Sequence, residues 1–139
     1  MKVLSVTIPC YTSAEYMGHA IDTLLTGGED IEIIVVDDGS TKDNTLEIAK
    51  DYEKKFPNIV RAVHQENGGH GAAVNTGLAN ANGVFFKVVD SDDWVSIEAL
   101  AKVMDLLRSV IKGNKSLDML VCNYVYEKVG EEPGTVRYT

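Results

Sequence analysis

In the stretch VFFKVVDSDDW, from Val84 to Trp94, a mostly apolar run is followed directly by a cluster of carboxylates. Residues 84–89 are typical of a buried strand, and Asp90, Asp92 and Asp93 follow it directly. Like charges this close repel one another unless a cation lies among them. The stretch therefore favours either a divalent-cation site or an acidic turn that caps the next helix, and these residues alone leave both interpretations open.

The composition predicts one globular domain over residues 1–139, with 45% hydrophobic residues. No apolar run approaches the ~20 residues of a membrane-spanning helix, so no transmembrane segment is expected. Met1 and Lys2 lead directly into a strand pattern, so no signal peptide is expected and the cytoplasm is the expected compartment. The net charge of −8 argues against a broad surface for nucleic acid or anionic membranes. Cys10 and Cys122 lack metal-ligand spacing and are expected to be reduced, structural thiols.

Strand and helix patterns alternate along the chain. Apolar, β-branched runs predict strands at residues 3–8, 31–36, 59–64, 84–89 and 117–126. Helical spacing of apolar residues predicts helices between them, at about 13–27, 43–56, 72–81 and 96–112. Pro9 is predicted to end the first strand, and Ser13 and Ser96 are predicted N-caps. A turn at 131–134 predicts a further strand from 135 to 139, so the domain is expected to be truncated at its C-terminal end.

This order predicts an α/β fold with a Rossmann-like, mostly parallel sheet and helices on both faces. In such sheets ligands bind beyond the carboxyl ends of the strands. Four polar or glycine-rich segments fall at those ends, namely Pro9–Tyr11, Asp37–Asp38, 67–71 and Asp90–Asp92. The sequence therefore predicts a binding site at this edge of the sheet.

Asp90 and Asp92 are the candidate metal ligands. Because they lie two residues apart, an extended chain would direct both side chains to one side. Carboxylate oxygens suit Mg²⁺ or Mn²⁺, and Mg²⁺ commonly binds through one or two carboxylates together with the phosphates of a substrate. The pair therefore predicts a nucleoside diphosphate or a similar partner, with Asp93 as a supporting acceptor and Trp94 as a packing residue.

Other segments have both a functional and a structural interpretation. Asp38 can accept hydrogen bonds from a nucleoside or form a helix-capping turn, and Tyr11 can stack on a base or pack at the strand end. The loop 67–71 is typical of a phosphate cradle at a helix N-terminus, although it lacks the spacing of a dinucleotide fingerprint or a P-loop. Asn75 and Gly77 form helices poorly, which favours close packing or a polar contact at these positions.

Together these motifs resemble those of the family 2 glycosyltransferases, which have the GT-A fold. The resemblance covers nearly the whole chain and rests on four segments, VTIPCY at 6–11, VVDDGSTKD at 35–43, NGG and AAVNTGL within 67–78, and VDSDDW at 89–94. Each motif alone is unspecific, whereas four in this order at predicted strand ends are specific. The resemblance implies a GT-A type nucleotide-diphospho-sugar transferase fold and a nucleotide-sugar donor, expected to be a UDP-sugar.

The resemblance also implies roles for individual residues. Pro9 and Tyr11 would line the pocket for the base, and Asp38 would hydrogen-bond to the base. Asp90-Ser91-Asp92 matches the Asp-x-Asp motif of the family. Asp92 would bind Mn²⁺ or Mg²⁺ directly, and Asp90 would lie nearer the ribose or the donor sugar. The predicted donor-binding set is Pro9, Tyr11, Asp38, Gly69, Asn75, Asp90, Ser91 and Asp92, and the predicted metal ligands are Asp90 and Asp92.

The implied reaction is a metal-dependent, inverting transfer of a sugar to a carbohydrate or lipid-linked acceptor, of the kind used for cell-surface polysaccharides. The catalytic base, an Asp or Glu, is expected beyond Thr139, so this chain is interpreted as the donor-binding part of an enzyme. A peripheral position at the inner face of the membrane is an expectation for the full-length protein.

One position departs from the family pattern. Val74 stands where many members have Arg, so the donor contact of that Arg has no counterpart. His70 and Lys87 are candidate replacements, and a local hydrogen bond is the alternative role of His70. A non-catalytic nucleotide-binding or scaffolding module of the same fold is the alternative function. A dinucleotide-dependent dehydrogenase is disfavoured because the first strand-to-helix turn lacks glycines.

Overall fold

The computed structural model describes residues 2–113, 124–126 and 134–136 of the chain. One sheet contains the four strands β1 (Leu4–Cys10), β2 (Ile31–Asp38), β3 (Val60–Gln65) and β4 (Phe85–Val88). The helices that alternate with them are α1 (Met17–Leu25), α2 (Thr45–Lys55), α3 (His70–Ala79) and α4 (Ile97–Lys112). The strand order is β3-β2-β1-β4 and every pairing is parallel. The predicted α/β architecture is therefore confirmed.

Two short strands pair separately from this sheet. β5 (Tyr124–Tyr126) and β6 (Gly134–Val136) form an antiparallel pair. The strands predicted at 117–126 and 135–139 are confirmed over these residues only. The rest of both predictions, and Cys122, lie outside the described residues.

Helices cover both faces of the sheet. Every residue of β1 and β2 is buried, which explains their nearly continuous apolar sequence. Because successive side chains of a strand point to opposite faces, Val6 and Ile8 pack into a core cluster with residues of α1 and α4, among them Met17, Ile21, Leu24, Leu100, Met104 and Leu107. Ile34 and Val36 point the other way, against Ala73 of α3. The main core therefore lies on the side of α1, α2 and α4, and α3 covers the opposite face.

The approach of α3 to β1 explains a glycine in a helix. A Cβ placed on Gly77 would lie 2.0 Å from Oγ1 of Thr7. The same Thr7 hydroxyl donates to the Ile34 carbonyl at 3.1 Å, so it is held in place. Gly77 thus permits close helix–sheet packing, which confirms the prediction from its low helix propensity.

Pro9 does not end β1, contrary to the prediction. The strand continues to Cys10, with Pro9 opposite Val36 of β2. The carbonyl of Thr7 accepts from the Val89 N–H on the β4 side, and Pro9, two residues later, faces the same side. Because β4 has already ended there, a backbone N–H at position 9 would have no strand partner. Proline at this position therefore costs the sheet no hydrogen bond.

The two predicted N-caps have different outcomes. The Ser96 side chain accepts from the Ala99 N–H and caps α4, as predicted. Ser13 does not cap α1, which begins at Met17 with Tyr16 in the cap position. No helix in the described part of the chain is long and apolar enough to cross a membrane.

Cys10 is a buried, free thiol at the end of β1. Burial, together with the nearby Asp37 carboxylate, raises the pKa of Cys10 to about 12. The thiol is therefore protonated at neutral pH, in agreement with the predicted structural role.

Candidate functional site

β1 is the position at which the strand order reverses. From β1 the chain passes to β2 and β3 on one side, and then to β4 on the other. β4 pairs with β1 only as far as Thr7 and Val88, whereas β1 continues to Cys10 along β2. The loops after β1 and β4 therefore diverge, and ligands bind at such switch points. A pocket of about 380 Å³ lies between them, lined by Pro9, Tyr11, Thr12, Ser13, Tyr16, His70, Asp90, Ser91 and Asp92.

Three carboxylates are grouped on the β4 side of the pocket. Asp90, Asp92 and Asp93 can each contribute one oxygen, and these oxygens lie within 4.8 Å of one another. The chain turns here instead of staying extended, because the Asp93 N–H donates to the Asp90 carbonyl at 3.0 Å. This turn adds Asp93 to the group, as a candidate ligand that residue spacing did not identify. Close carboxylate oxygens are a hard, anionic donor set, which fits Mn²⁺ or Mg²⁺.

Trp94 follows the carboxylates and packs beside them. Its ring meets the His19 ring edge-on, with the centroids 4.4 Å apart. The Val95 N–H donates to the Thr23 hydroxyl at 3.3 Å, which ties the same segment to α1. These contacts agree with the predicted packing role of Trp94 and fix the start of the segment that leads into α4.

The loop after β1 forms the opposite wall of the pocket. The Tyr11 side chain is 53% exposed, so its ring is available to stack on a planar ligand. Thr12 has a φ of +52°, a left-handed conformation that is unfavourable for a β-branched residue. The Thr12 N–H donates to the Ser40 hydroxyl at 2.9 Å, which helps to hold this conformation. The pocket loop therefore contains a strained backbone position directly after Tyr11.

Asp38 anchors the glycine-containing loop before α3. It is 4% exposed, and its carboxylate accepts from Gln65 Nε2 at 2.9 Å and from the N–H groups of Gly68 and Gly69 at 2.8 and 3.0 Å. Burial alone would raise the pKa of Asp38, but these hydrogen bonds outweigh burial and hold the pKa below its ordinary value. Two N–H groups of the predicted phosphate cradle are thus occupied by Asp38.

The remaining predicted residues are placed as follows. Among the described residues, Asp38, Gly69 and Asn75 are not part of the pocket lining, whereas Pro9, Tyr11, Asp90, Ser91 and Asp92 are. Asn75 is exposed on α3. Of the two candidates that could replace an Arg at Val74, His70 lines the pocket, with Nε2 3.9 Å from Asp90 Oδ1.

Apart from His70, which was a candidate contact only, three pocket residues were absent from the predicted site: Thr12, Ser13 and Tyr16. The available signal was their position, since they directly follow the first motif at a predicted strand end. Ser13 was instead interpreted as a helix cap. In the structure its hydroxyl lies 2.7 Å from the Ser91 hydroxyl, across the pocket from β1 to β4.

Comparison with known proteins gives consistent matches. Residues 5–114 match the family described as glycosyl transferase family 2. The chain is 44% identical over 97 residues to EpsJ of Bacillus subtilis (strain 168), named an uncharacterized glycosyltransferase, and the match covers 69% of this chain and 28% of EpsJ.

Two solved structures are also similar. Residues 1–349 of S. aureus TarS, in a crystal structure with UDP, match with a TM-score of 0.67 and 31% identity over 78% of this chain and 32% of that chain. The mannosyltransferase PcManGT from Pyrobaculum calidifontis, in complex with GDP-Man and Mn²⁺, matches with a TM-score of 0.64 and 26% identity over 70% and 30%. The chain thus spans about a third or less of the length of these proteins.

Proposed function

The chain belongs to glycosyl transferase family 2 and has the GT-A fold, and on that premise we propose that it binds the nucleotide-sugar donor of a glycosyltransferase. The donor is a UDP-sugar, and its binding depends on Mn²⁺ or Mg²⁺. The sugar passes with inversion to a carbohydrate or lipid-linked acceptor. The complexes of TarS with UDP and of PcManGT with GDP-Man and Mn²⁺ support this proposal.

One observation carries the proposal. Asp90 and Asp92 line the same pocket as the exposed ring of Tyr11. A nucleoside diphosphate has a planar base at one end and phosphates at the other, so it needs a stacking surface and a neutraliser of charge within one pocket. Tyr11 supplies the stacking surface directly, and Asp90 and Asp92 supply the neutralising charge through a cation.

Asp90, Asp92 and Asp93 are assigned to the cation, with Asp92 as the principal ligand. The bound cation supplies Lewis-acid stabilisation of the charge that develops on the departing diphosphate. The three carboxylates would hold this cation on the β4 side of the pocket, where it would neutralise charge on the diphosphate. The displacement has an oxocarbenium-like transition state.

Pro9, Tyr11 and Asp38 are assigned to the nucleoside. Tyr11 stacks on the base, and Pro9 lines the same pocket. Of the two Asp38 oxygens, Oδ1 accepts two of the described hydrogen bonds and Oδ2 accepts one. Asp38 is buried and does not line the pocket, so its assignment to the base rests on its place in the second motif of the family.

Gly69, Ser91 and Asn75 complete the proposed donor-binding set. Gly69 has a φ of +95°, which a side chain would disfavour, and it directs its N–H to Asp38. Ser91 lines the pocket and lies in sequence between Asp90 and Asp92, the two carboxylates assigned to the cation. Asn75 is exposed on the helix that begins at His70. The single domain over 1–139, the cytoplasmic compartment and a catalytic base beyond Thr139 stay predictions.

Calorimetric titration of the 139-residue chain with UDP tests the proposal. We expect binding in the presence of Mn²⁺ and much weaker binding in the presence of a chelator. GDP and dTDP in parallel titrations determine the base preference. Absence of binding by all three nucleotides with Mn²⁺ present would refute the proposal.

A further inference from the structure

The hydroxyl of Ser13 joins the two walls of the pocket. Ser13 is 4% exposed, and its Oγ accepts from the Tyr11 N–H at 3.1 Å. The same oxygen lies 3.3 Å from the Tyr11 carbonyl oxygen and 2.7 Å from Ser91 Oγ. One buried hydroxyl therefore contacts both the residue with the exposed ring and the segment with the carboxylates.

The hydrogen-bonding capacity of Ser13 matches these contacts. A hydroxyl has one proton and two lone pairs. When Ser91 donates to Ser13, the Ser13 oxygen accepts from Ser91 and from the Tyr11 N–H, and its own proton goes to the Tyr11 carbonyl. This direction uses the one proton and both lone pairs of Ser13, and it ties the Tyr11 backbone to Ser91. The Ser13 side chain also has a hydrogen-bond contact with Cys10 at the end of β1.

The backbone of Ser13 is held from the N-terminus of α2. The Ser13 N–H donates to Thr45 Oγ1 at 2.9 Å, and the Ala14 N–H donates to Asp43 Oδ2 at 3.2 Å. Thr45 Oγ1 in turn donates to Asp43 Oδ1 at 2.6 Å. The backbone of Ser13 is thus held by Thr45 and Asp43, and its hydroxyl makes the contacts to Tyr11 and Ser91.

The strand pairing between β1 and β4 does not extend to the two loops that contain Ser13 and Ser91. The paired register of β1 and β4 ends at Thr7 and Val88, before Ser13 and Ser91 in their respective loops. The hydrogen bond between the two serines therefore spans a region where the strands have already separated.

We propose that Ser13 is a positioning residue that couples cation binding at Asp90–Asp93 to nucleotide binding at Tyr11, through its hydrogen bond to Ser91. The inference rests on the function proposed above. A cation that orders the carboxylates also orders Ser91 between them, and Ser13 transmits that order to Tyr11. Because coupling between two sites is reciprocal, UDP strengthens cation binding by the same factor as the cation strengthens UDP binding.

The test compares a ratio, the Kd of UDP without Mn²⁺ divided by the Kd with Mn²⁺, measured by calorimetry. Part of this ratio comes from direct contact between the diphosphate and the cation, and that part stays in all variants. In Ser13→Ala we expect the ratio to fall about three- to ten-fold, the effect of one neutral hydrogen bond. Ser91→Ala should lower the ratio equally, and the double variant should lower it no further.

Ser40→Ala is the matched control. It removes the hydroxyl that accepts from the Thr12 N–H in the same loop at 2.9 Å, and leaves both Ser13 and Ser91 in place. We expect weaker UDP binding by the same factor with and without Mn²⁺, so the ratio stays constant. Urea unfolding of each variant verifies that it folds, and Ser91→Ala, at a half-buried position, provides the test if Ser13→Ala does not fold.

The outcomes separate the two proposals. If the unaltered chain binds none of UDP, GDP and dTDP with Mn²⁺ present, the proposed function fails and the coupling fails with it. If UDP binds with Mn²⁺ but the ratio is unchanged in Ser13→Ala, only the coupling is overturned. Full additivity of Ser13→Ala and Ser91→Ala in the double variant also overturns it, because independent residues would act in that way.

Discussion

Gly77 of α3 and Thr7 of β1 are so close that a Cβ on the glycine would lie 2.0 Å from the threonine Oγ1. Thr7 Cβ and Cγ2 would lie at 2.5 and 2.9 Å, so rotation of the threonine side chain would not remove the clash. The position of α3, which begins at the pocket residue His70, therefore depends on direct contact between the Gly77 backbone and the Thr7 side chain.

Gly77→Ala should destabilise the fold for this reason. Overpacking of a core typically costs ~1–3 kcal/mol, and we expect a loss at the upper end of that range in the free energy of unfolding measured by urea denaturation. Gly71→Ala, in the same helix with nothing within 4 Å of its Cβ position, is the control. It should be neutral or stabilising by up to about 1 kcal/mol. Equal losses in both variants would contradict the close-packing explanation.

Asp93 is predicted to act as a metal ligand with Asp92. Asp92→Asn and Asp93→Asn should each weaken Mn²⁺ binding by more than the ~10–100-fold that loss of an outer hydrogen-bond partner causes. Electron paramagnetic resonance of free Mn²⁺ measures this without any nucleotide. Glu15→Gln, which removes an exposed charge outside the carboxylate group, is the control. An unchanged Mn²⁺ affinity in Asp93→Asn would show that Asp93 is not a metal ligand and acts only as a supporting hydrogen-bond acceptor.

Tyr11 is predicted to bind the base by stacking. Tyr11→Ala should weaken UDP binding in Mn²⁺ by about 1–3 kcal/mol, the range for loss of one aromatic stacking partner. Tyr11→Phe keeps the ring and should retain most of the affinity. Calorimetry gives both values, and a loss of similar size in the two variants would assign the contribution to the hydroxyl instead.

Thr12 is predicted to store strain in the pocket loop. Thr12→Asn should raise the free energy of unfolding by about 1 kcal/mol, because Asn adopts positive φ more readily than a β-branched residue. Thr41→Asn, at an exposed position that does not have positive φ, is the control and should change little. Thermal or urea unfolding distinguishes the two. A destabilised Thr12→Asn would show that Thr12 makes favourable contacts that exceed its backbone strain.

Glu32 is predicted to make stability depend on acid pH. Burial alone would raise its pKa, but hydrogen bonds from Asn82 and Ser5 and the nearby Arg61 outweigh burial and lower the pKa below the ordinary 4.5. The unfolded chain therefore binds the proton at higher pH than the folded chain does. The stabilisation is complete above the ordinary pKa and is lost as pH falls through the lowered one.

Urea unfolding between pH 7 and pH 3 measures this loss. Glu32→Gln should be less stable than the unaltered chain at pH 7, and its stability should fall less steeply with acid. Glu47→Gln, at an exposed position of α2, should follow the unaltered chain. Parallel curves for Glu32→Gln and the unaltered chain would show that other carboxylates, such as Asp38 and Asp43 with their lowered pKa values, account for the acid effect.

The sequence predicted the sheet well because β1 and β2 are covered on both faces, which requires nearly continuous apolar residues. The gathering of Tyr11 and Asp90–Asp92 at one edge followed from parallel topology alone. The hydrogen bond between Ser13 and Ser91 could not be predicted in the same way. These residues are 78 positions apart, and the local sequence around one does not indicate contact with the other. Asp93 was given a lesser role because residue spacing describes an extended chain, and the backbone turns at that point.

The unequal lengths of β1 and β4 determine how much room the pocket has. β1 continues for three residues, Ile8, Pro9 and Cys10, beyond its last pairing with β4, which corresponds to roughly 10 Å at the rise per residue of a strand. This offset between the two strands is set by the backbone, whereas the side chains of the two loops line the pocket and determine what it recognises. Such a scaffold can change its substrate over evolutionary time by loop substitution alone, while the register of β1 and β4 stays constant.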